Sequence, residues 1–537
     1  MSAQWGMLTG RSAAGLSGGA SGSQIFYAVA AYVVLGGLTL SPLLSASVPP
    51  LVDYPDHLAR MWILVHGSDN YVVNWHLLPT LAMDLIVPPL AQIMPVEAAG
   101  RLFVVLTMAL LVIATLVLHR VLHGRVGLWP LCSLLFVYNA ALYWGFLNFL
   151  FGFGVALLGF GGWVASERWQ TIKRVAVFSV IASLIFILHL FALGIYGLLV
   201  GSYELGNMLA NRRWSPKSIV AEAAKFAQFG PVVLLWLASL STSGPSYTYY
   251  GGVTAKIYAL GAPMAFVPNV LIGTGCSVLM MCLLYIGWRN GALKLSPAMR
   301  LPILAMIVAA ALMPNALMGS WATDIRLPVA LPFVLIASTR LDIRRQRVVG
   351  LLAALALVFL GIRVYALTLT WRDADSRFAE FRAVSRVIPR SAPVLIVESD
   401  IADKDRHVDG IPLALSSLEY VHFIHMPSLA VMDRDVFIPY QFTGWTTIKP
   451  ALGNAGMFMT QGLPLKPAEL VESVSPDGRK RYIQFRNLAG ETHYALDWPD
   501  KFDYVLWIDF GERRELFPER LKLVASGSFF KFYQILR

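Results

Sequence analysis

The sequence is poor in charge and in cysteine. Of its 537 residues only 14% are charged, whereas 57% are hydrophobic, so a soluble chain could not cover its own surface with polar groups. The three cysteines, Cys132, Cys276 and Cys282, lie inside apolar runs without metal-ligand spacing, and we predict no disulfide. A P-loop, a GxGxxG after a strand, paired CxxC motifs and HExxH are also missing, which argues against a nucleotide-driven pump and against a soluble enzyme of nucleotide sugars.

Long apolar runs fill most of the chain, and they predict a polytopic α-helical membrane protein. Residues 1–24 are rich in Gly, Ser and Ala, which is typical of a disordered tail, and the run after them shows no convincing cleavage site. Residues 79–96 carry Asp84 and Pro88-Pro89, so we interpret them as a second surface or re-entrant helix. About eleven spans are predicted: 25–45, 98–121, 127–144, 147–166, 174–189, 190–207, 219–240, 267–288, 301–319, 327–339 and 348–370.

The charges of the connecting loops indicate the orientation. With the N-terminus inside, the cytoplasmic segments hold sixteen basic residues, whereas the opposite loops hold only Arg60, Lys256 and Arg326. Positive loops stay in the cytoplasm, so the segments 46–97, 241–266 and 320–326 are expected outside. The net charge of +11 therefore reflects membrane orientation, and we predict a bilayer as partner and no nucleic acid.

The composition changes at Trp371. A charged amphipathic helix follows, and then six short β-type segments alternate with Gly, Pro, Asp and Asn, at 392–399, 420–427, 435–442, 480–487, 503–510 and 529–536. We therefore expect three parts: a cytoplasmic tail (1–24), a transmembrane module (25–370) with its outer loop 46–97, and a periplasmic mixed α/β domain (371–537).

The stretch 46–67 follows the first apolar run and predicts a helix with Pro55 in its first turn. We expect this helix to lie flat on the membrane, and the helix dipole at its N-terminus to keep the two aspartates ionised. A capped amphipathic connector without function is the alternative. On a helical wheel Asp53, Asp56, His57 and Arg60 share one face, and Leu58, Met61, Trp62 and Val65 share the other.

Two further segments supply candidate binding residues on the outer side. The turn 143–154 (YWGFLNFLFGFG) places Tyr143, Trp144 and Asn148 among aromatics, where they could line a sugar or lipid-phosphate site or simply pack a helix hairpin. His189, at the junction of two spans, is a packing residue or a binding residue facing an outer cavity.

The remaining candidates are charged residues in outer loops. Asp324 and Arg326 could pair with each other at the interface, or Arg326 could present its cation to a phosphate. Lys256 lies in the segment 241–266, whose Gly, Ser and Tyr content suits a lid over a ligand as well as an ordinary connector. His422 and His425 have no Cys or acidic partner at metal spacing, so we assign no metal-ligating residues there.

Taken together, these motifs resemble the GT-C superfamily of membrane glycosyltransferases. The resemblance is carried by the acidic motif Asp53-Tyr-Pro-Asp56-His57 after the first span, by the number of spans and by the closing periplasmic domain. More specifically, the chain looks like bacterial hypothetical membrane proteins with a D-x-P-x-H-L-A-R loop and a G-F-L-N-F turn, seen here at 53–60 and 145–149.

The resemblance implies an inverting glycosyltransferase in the bacterial cytoplasmic membrane. It would move a sugar from a polyprenyl-phosphate donor to a glycan, lipid or other acceptor on the periplasmic face. Asp53 is the expected base, and Asp56 is its substitute or a ligand for a divalent cation, Mg or Mn. The expected phosphate contacts are His57, Arg60 and Arg326, with Lys256 as a further candidate. A transporter or flippase of a lipid-linked or polar substrate is the alternative.

Overall fold

The computed structural model describes residues 22–125, 127–212, 214–239, 247–265, 270–342, 346–399, 407–408, 411–412, 423–443, 446–457, 464–474, 494–509 and 519–537. Its helices are α1 (Gly22–Leu40), α2 (Tyr54–His66), α3 (Ala82–Leu90), α4 (Val96–His123), α5 (Ala140–Tyr143), α6 (Leu147–Ala165), α7 (Thr171–Leu188), α8 (Leu190–Asn211), α9 (Pro216–Lys225), α10 (Gly230–Ser239), α11 (Val253–Gly261), α12 (Val270–Arg289), α13 (Arg300–Leu312), α14 (Arg326–Ser338), α15 (Gln346–Ser385), α16 (Ser428–Arg434), α17 (Pro467–Glu472) and α18 (Trp498–Lys501). Its strands are β1 (Tyr71–Val73), β2 (Leu293–Leu295), β3 (Thr339–Leu341), β4 (Val394–Glu398), β5 (His407–Val408), β6 (Ile411–Pro412), β7 (Ile448–Pro450), β8 (Tyr504–Ile508), β9 (Leu521–Ser526) and β10 (Phe530–Ile535).

The helical part has the length and composition of a multi-pass membrane protein. The 22-residue α8 also covers the predicted span 190–207. The expectation of eleven spans is met only in part, because several of the remaining segments are too short to cross a bilayer as single straight helices. Six helical segments of the described chain are long and apolar enough to span, namely Phe26–Leu44, Val96–His123, Leu147–Ala165, Thr171–Leu188, Pro216–Ser239 and Val349–Ser385, and three shorter apolar helices are Gly275–Arg289, Pro297–Leu312 and Arg326–Ser338.

The predicted span at 127–144 is wrong. Residues Trp129–Phe136 form 3-10 turns, and only the four residues of α5 are α-helical. Arg363, a buried residue of α15, supports this irregular backbone. Its guanidinium donates to the carbonyl oxygens of Leu135 at 3.1 Å, of Met264 at 3.1 Å and of Tyr138. Carbonyls that lack a helical N–H partner are thus satisfied by a side chain, which lets irregular backbone stay buried.

Helix α2 begins where the sequence predicts, with Asp53 at the N-cap and Pro55 in the first turn. The prediction that it lies flat with one face in lipid and one in water is wrong. Leu58 and Met61 are buried, and so are Asp56 and Arg60 on the opposite face. Helices α3 and α4 pack against α2, and α16 from the C-terminal part covers it as well. The charged face therefore meets protein, not bulk water.

The C-terminal part contains a four-stranded sheet in the order β4-β8-β10-β9. β4 runs parallel to β8, and the other pairs are antiparallel, so the segment combines helices with a mixed sheet. Three predicted strand segments match β4, β8 and β10, whereas β9 is missed and 435–442 forms no regular strand. The prediction of a strand at 420–427 is wrong for its described residues 423–427, which form turns, and 480–487 lies outside the described residues. Helix α15 continues from Gln346 to Ser385, so position 371 lies inside one unbroken helix.

The C-terminal part is anchored on the loop 46–97. Strand β1 of the loop pairs with β7, in a register that places Tyr71 opposite Pro450. Asp435 accepts hydrogen bonds from the Ser68 hydroxyl at 2.5 Å and from the Asp69 backbone N–H at 2.8 Å. Segment 423–450 is therefore held over α2 by backbone pairing and by side chains.

Candidate active site

A pocket of about 210 Å³ lies between the loop 46–97, the ends of three apolar helices and the residues Phe442, Thr446 and Thr447. It brings together residues that the sequence places far apart. Six of the predicted site residues line it: Asp53, His57, Arg60, Asn148, His189 and Arg326.

Helix N-termini converge on this pocket. Among the described residues, five that line the pocket stand at the N-cap or first position of a helix. They are Asp53 of α2, Leu81 of α3, Phe146 of α6, His189 of α8 and Arg326 of α14. The N-terminus of a helix carries a partial positive charge and favours anions. The convergence of several such ends gives the pocket a positive backbone field.

Arg326 adds a full positive charge. The residue is 6% exposed, and its guanidinium donates to the Ser320 hydroxyl at 2.9 Å and the Trp321 carbonyl at 3.3 Å, while its Nε–H has no partner in the described part of the chain. It lies between 5.1 and 5.6 Å from the ring centres of three phenylalanines. Neither Asp324 nor any other described carboxylate pairs with it, so the interfacial ion pair considered for these two residues is wrong. A buried cation without a counter-ion is costly unless an anion joins it.

Arg60, in contrast, already has its anion. Its guanidinium lies 2.9 Å from Asp84 Oδ2, and both side chains are almost fully buried. The Thr447 hydroxyl donates to the other Asp84 oxygen at 2.6 Å. The pair is close to neutral, so Arg60 offers a substrate much less net charge than Arg326 does.

The position of Asp53 is fixed by the turn after α5. Its backbone N–H donates to the Trp144 carbonyl at 3.2 Å, and Val52 N–H donates to the Tyr143 carbonyl at 2.8 Å. Gly145 has φ +85°, and a Cβ there would lie 2.9 Å from Asp53 Cβ. Only glycine fits this close approach without strain, so the G-F-L-N-F turn serves to seat Asp53.

Burial raises the pKa of Asp53 to about 7, although His425 and Arg60 act in the opposite direction and Asp56 adds to the rise. The sequence-based expectation that Asp53 is fully ionised is therefore only partly met at neutral pH, because desolvation disfavours the charged form. A carboxyl group with this pKa can accept and release a proton near neutral pH, as a general base must.

Asp56 points away from the pocket and is fully buried. The Ser428 hydroxyl donates to Asp56 Oδ1, and His425 Nδ1 lies 2.9 Å from Asp56 Oδ2. The other ring nitrogen of His425 lies 3.6 Å from Asp53 Oδ1. His425 thus has two acidic neighbours, which the sequence did not reveal because they come from the other end of the chain.

His57 lines the pocket as a neutral ring. Burial lowers the pKa of His57 well below its usual value, and the nearby charges of Arg60 and His425 lower it further. Its Nδ1 atom is buried and has no hydrogen-bond partner in the ranges described. His57 therefore adds no positive charge for a phosphate, and a hydrogen bond from it to a substrate stays a prediction.

Asn148 and His189 line the pocket and also cap the backbone around it. Asn148 Oδ1 accepts from the Met83 N–H at 2.7 Å, and its Nδ2 donates to the Thr80 carbonyl at 2.6 Å. His189 Nδ1 accepts from the Phe191 N–H at 3.1 Å at the start of α8. Both side chains therefore help to shape the pocket wall, the packing alternative considered for them.

Other predicted residues lie outside the pocket. The Trp144 indole N–H donates to the Tyr258 hydroxyl at 3.1 Å, and Lys256 donates to the Met313 carbonyl. Asp324 accepts from Asn315 at 3.2 Å. A binding role for these residues, and for the buried Tyr143, stays a prediction.

A divalent cation at Asp56 stays a prediction. In the described ranges no three His, Cys, Asp or Glu side chains are arranged to hold a metal ion. The oxygens of Asp56 face Ser428 and His425, and the two nitrogens of His425 face carboxylates.

A second cavity, of about 2,400 Å³, is almost entirely apolar. It lies among α1, α4, α12 and α15 and has Arg120, Arg125 and Arg340 in its lining, residues that the loop charges assign to the cytoplasmic side. It shares no lining residue with the pocket around Asp53. Of the two, the small pocket is the one that gathers the predicted chemistry.

Comparison with known proteins gives a similarity of structure but none of sequence family. No protein-family model and no curated protein matches the chain. Among solved structures, ArnT from Cupriavidus metallidurans bound to undecaprenyl phosphate aligns over 96% of this chain and 98% of its own, at 11% identity and a TM-score of 0.48. A similarity of this degree does not by itself assign a fold family, so the residues of the pocket carry the functional conclusion.

Proposed function

We propose that the protein is an inverting glycosyltransferase that moves a sugar from a polyprenyl-phosphate donor to a hydroxyl acceptor at the periplasmic face of a bacterial cytoplasmic membrane. One observation supports it most. A titratable carboxyl group, Asp53, and a buried cation without a carboxylate partner in the described chain, Arg326, face the same pocket where helix N-termini meet. An acid and an anion site side by side suit a reaction that removes a proton and releases a phosphate.

In the proposed reaction the acceptor oxygen attacks the anomeric carbon of the sugar, and the carbon–oxygen bond to the phosphate breaks. The acceptor proton moves to the Asp53 carboxylate. The leaving polyprenyl phosphate needs no proton donor, because Arg326 and the helix N-termini stabilise its negative charge. A single displacement inverts the anomeric centre, so one catalytic carboxylate is enough.

The surroundings of the pocket support a lipid-linked donor. Three of its lining residues lie at the N-termini of the apolar helices α6, α8 and α14, so the pocket lies where these helices begin. A donor held in the bilayer by its prenyl chain can present its phosphate there. The same position disfavours a transporter, whose binding site is expected near the middle of the bilayer and open to either side.

The test is an assay of the purified protein in nanodiscs with a panel of polyprenyl-phosphate sugars and candidate acceptors. Wild type is expected to release polyprenyl phosphate and form an inverted glycoside, and Asp53→Asn is expected to lose transfer while still folding. Asp69→Asn is a matched control, since Asp69 is an exposed carboxylate of the same loop. Transfer by Asp53→Asn at the wild-type rate would remove Asp53 as the base.

A further inference from the structure

His425 lies between two carboxylates, at the back of Asp53 as seen from the pocket. Its Nδ1 is 2.9 Å from Asp56 Oδ2 and its Nε2 is 3.6 Å from Asp53 Oδ1, and the residue is 8% exposed. Resting on the proposed function, we propose that His425, as an imidazolium held by Asp56, is a positioning residue that keeps the Asp53 carboxylate ionised and oriented toward the pocket.

The fully buried Asp56 requires a cation, because an isolated buried carboxylate is very costly. Arg60 does not supply it, since its guanidinium is paired with Asp84. The Ser428 hydroxyl donates to one Asp56 oxygen, and His425 is the cationic group in contact with the other. The local charges therefore favour a proton on His425.

The other groups around the ring agree with this state. Burial by itself lowers the pKa of His425, but Asp56, Asp53 and Glu398 together raise the pKa above its usual value. His57, on the pocket side, is neutral and adds no opposing charge. For Asp53 the charged neighbours are His425, Asp56 and Arg60, of which the two cations favour the ionised form.

The ring is also held in place. The ring centre of Phe442 lies 5.0 Å from that of His425, and the ring centre of Tyr440 lies 5.9 Å away. The Gln441 amide donates to the Asp56 carbonyl at 3.0 Å, which ties this segment to α2. The C-terminal part therefore completes the acid site of the membrane module by supplying one oriented imidazole.

In the proposed reaction His425 exchanges no atom with the substrate. Before transfer its positive charge offsets the cost of keeping Asp53 as an anion in a buried site. When the acceptor proton arrives at Asp53, that carboxyl becomes neutral while His425 stays protonated beside Asp56. The proton then leaves Asp53 through the pocket with the product phosphate or with water.

The variant His425→Gln tests this role, with His66→Gln as the matched control, since His66 is an exposed histidine of the same helix as Asp56. Without the imidazolium the pKa of Asp53 is expected to rise, so the acid limb of the kcat–pH profile moves to higher pH. A shift of one pKa unit makes kcat about tenfold lower on the acid side, while kcat at high pH and KM change little. His425→Lys keeps a positive charge, so its acid limb is expected to lie between those of wild type and His425→Gln.

An unchanged profile in a folded His425→Gln protein overturns the proposal. A uniform loss at every pH, with a lower melting temperature and no recovery in His425→Lys, also overturns it, because that pattern indicates packing alone. Infrared difference spectra against Asp53→Asn report the protonated fraction of Asp53 without any turnover, and this fraction is expected to increase in His425→Gln. If wild type transfers no sugar but the spectra behave as expected, the proposed function fails and the role of His425 in holding Asp53 ionised stands.

Discussion

Replacing Arg326 by Gln removes the cation on which the proposed phosphate site depends. Each hydrogen bond from a charged group contributes about 1.5–3 kcal/mol, so the Kd for a polyprenyl phosphate should rise about 10- to 150-fold. Folding should be little affected, because the buried guanidinium has only the Ser320 hydroxyl and the Trp321 carbonyl as acceptors and no carboxylate in the described structure.

The assay is thermal unfolding in nanodiscs with and without a polyprenyl phosphate. A ligand at about 100 times its Kd stabilises the folded state by ~2.7 kcal/mol, and a 50-fold weaker Kd reduces this to about 0.6 kcal/mol. Arg326→Lys should fall between the two, since lysine keeps the charge but not the planar fork of donors. Arg372→Gln, an exposed arginine of α15, is the control and should bind as wild type does. Equal stabilisation of wild type and Arg326→Gln would refute the phosphate site.

Three further substitutions have defined outcomes. Asp53→Asn should be more stable than wild type above about pH 7 and equally stable near pH 4. Because the pKa of Asp53 is higher in the folded than in the unfolded protein, folding of wild type takes up a proton, and wild type loses stability as the pH rises from about 4 to about 7. Parallel curves of stability against pH for the two proteins would contradict this prediction. Arg60→Ala should lower the free energy of unfolding by about 3–5 kcal/mol, because it leaves Asp84 buried and unpaired. The double variant Arg60→Met/Asp84→Leu should regain most of this stability. If the double variant regains none, the unpaired carboxylate is not the cause of the loss. Asn148→Ala should lower the free energy of unfolding by about 1–3 kcal/mol, since the Met83 N–H and the Thr80 carbonyl lose their hydrogen-bond partner. Weaker ligand binding at unchanged stability would instead make Asn148 a substrate contact.

Much of the helical part can be predicted from hydropathy, because a helix in a bilayer needs a long apolar run whatever it packs against. Helices α4, α6 and α7 begin and end within a few residues of the predicted spans. The segment 127–144 could not be predicted in this way. Two of its carbonyl oxygens, those of Leu135 and Tyr138, accept hydrogen bonds from Arg363, more than two hundred positions later in the chain, and a hydropathy window does not detect a partner so distant.

The same limit applies to the candidate site. Local patterns predicted Asp53 and Arg326 as site residues, because charges are few in the loops that are expected to lie outside. The pairing of Arg60 with Asp84, and of Asp56 with His425, arises from tertiary contacts that decide which charges remain available to a ligand. The sequence therefore supplies the candidate charges of the pocket, but the packing of α3 and of residues 423–443 onto α2 shows which of these charges are already paired.

The most direct measurement is an experimental structure of the protein in nanodiscs with a bound polyprenyl phosphate. The phosphate is expected in the pocket beside Asp53, within hydrogen-bond distance of the Arg326 guanidinium, with its prenyl chain extending toward the bilayer. A phosphate bound instead beside Arg120 and Arg340 in the large apolar cavity, with the pocket empty, would contradict the account.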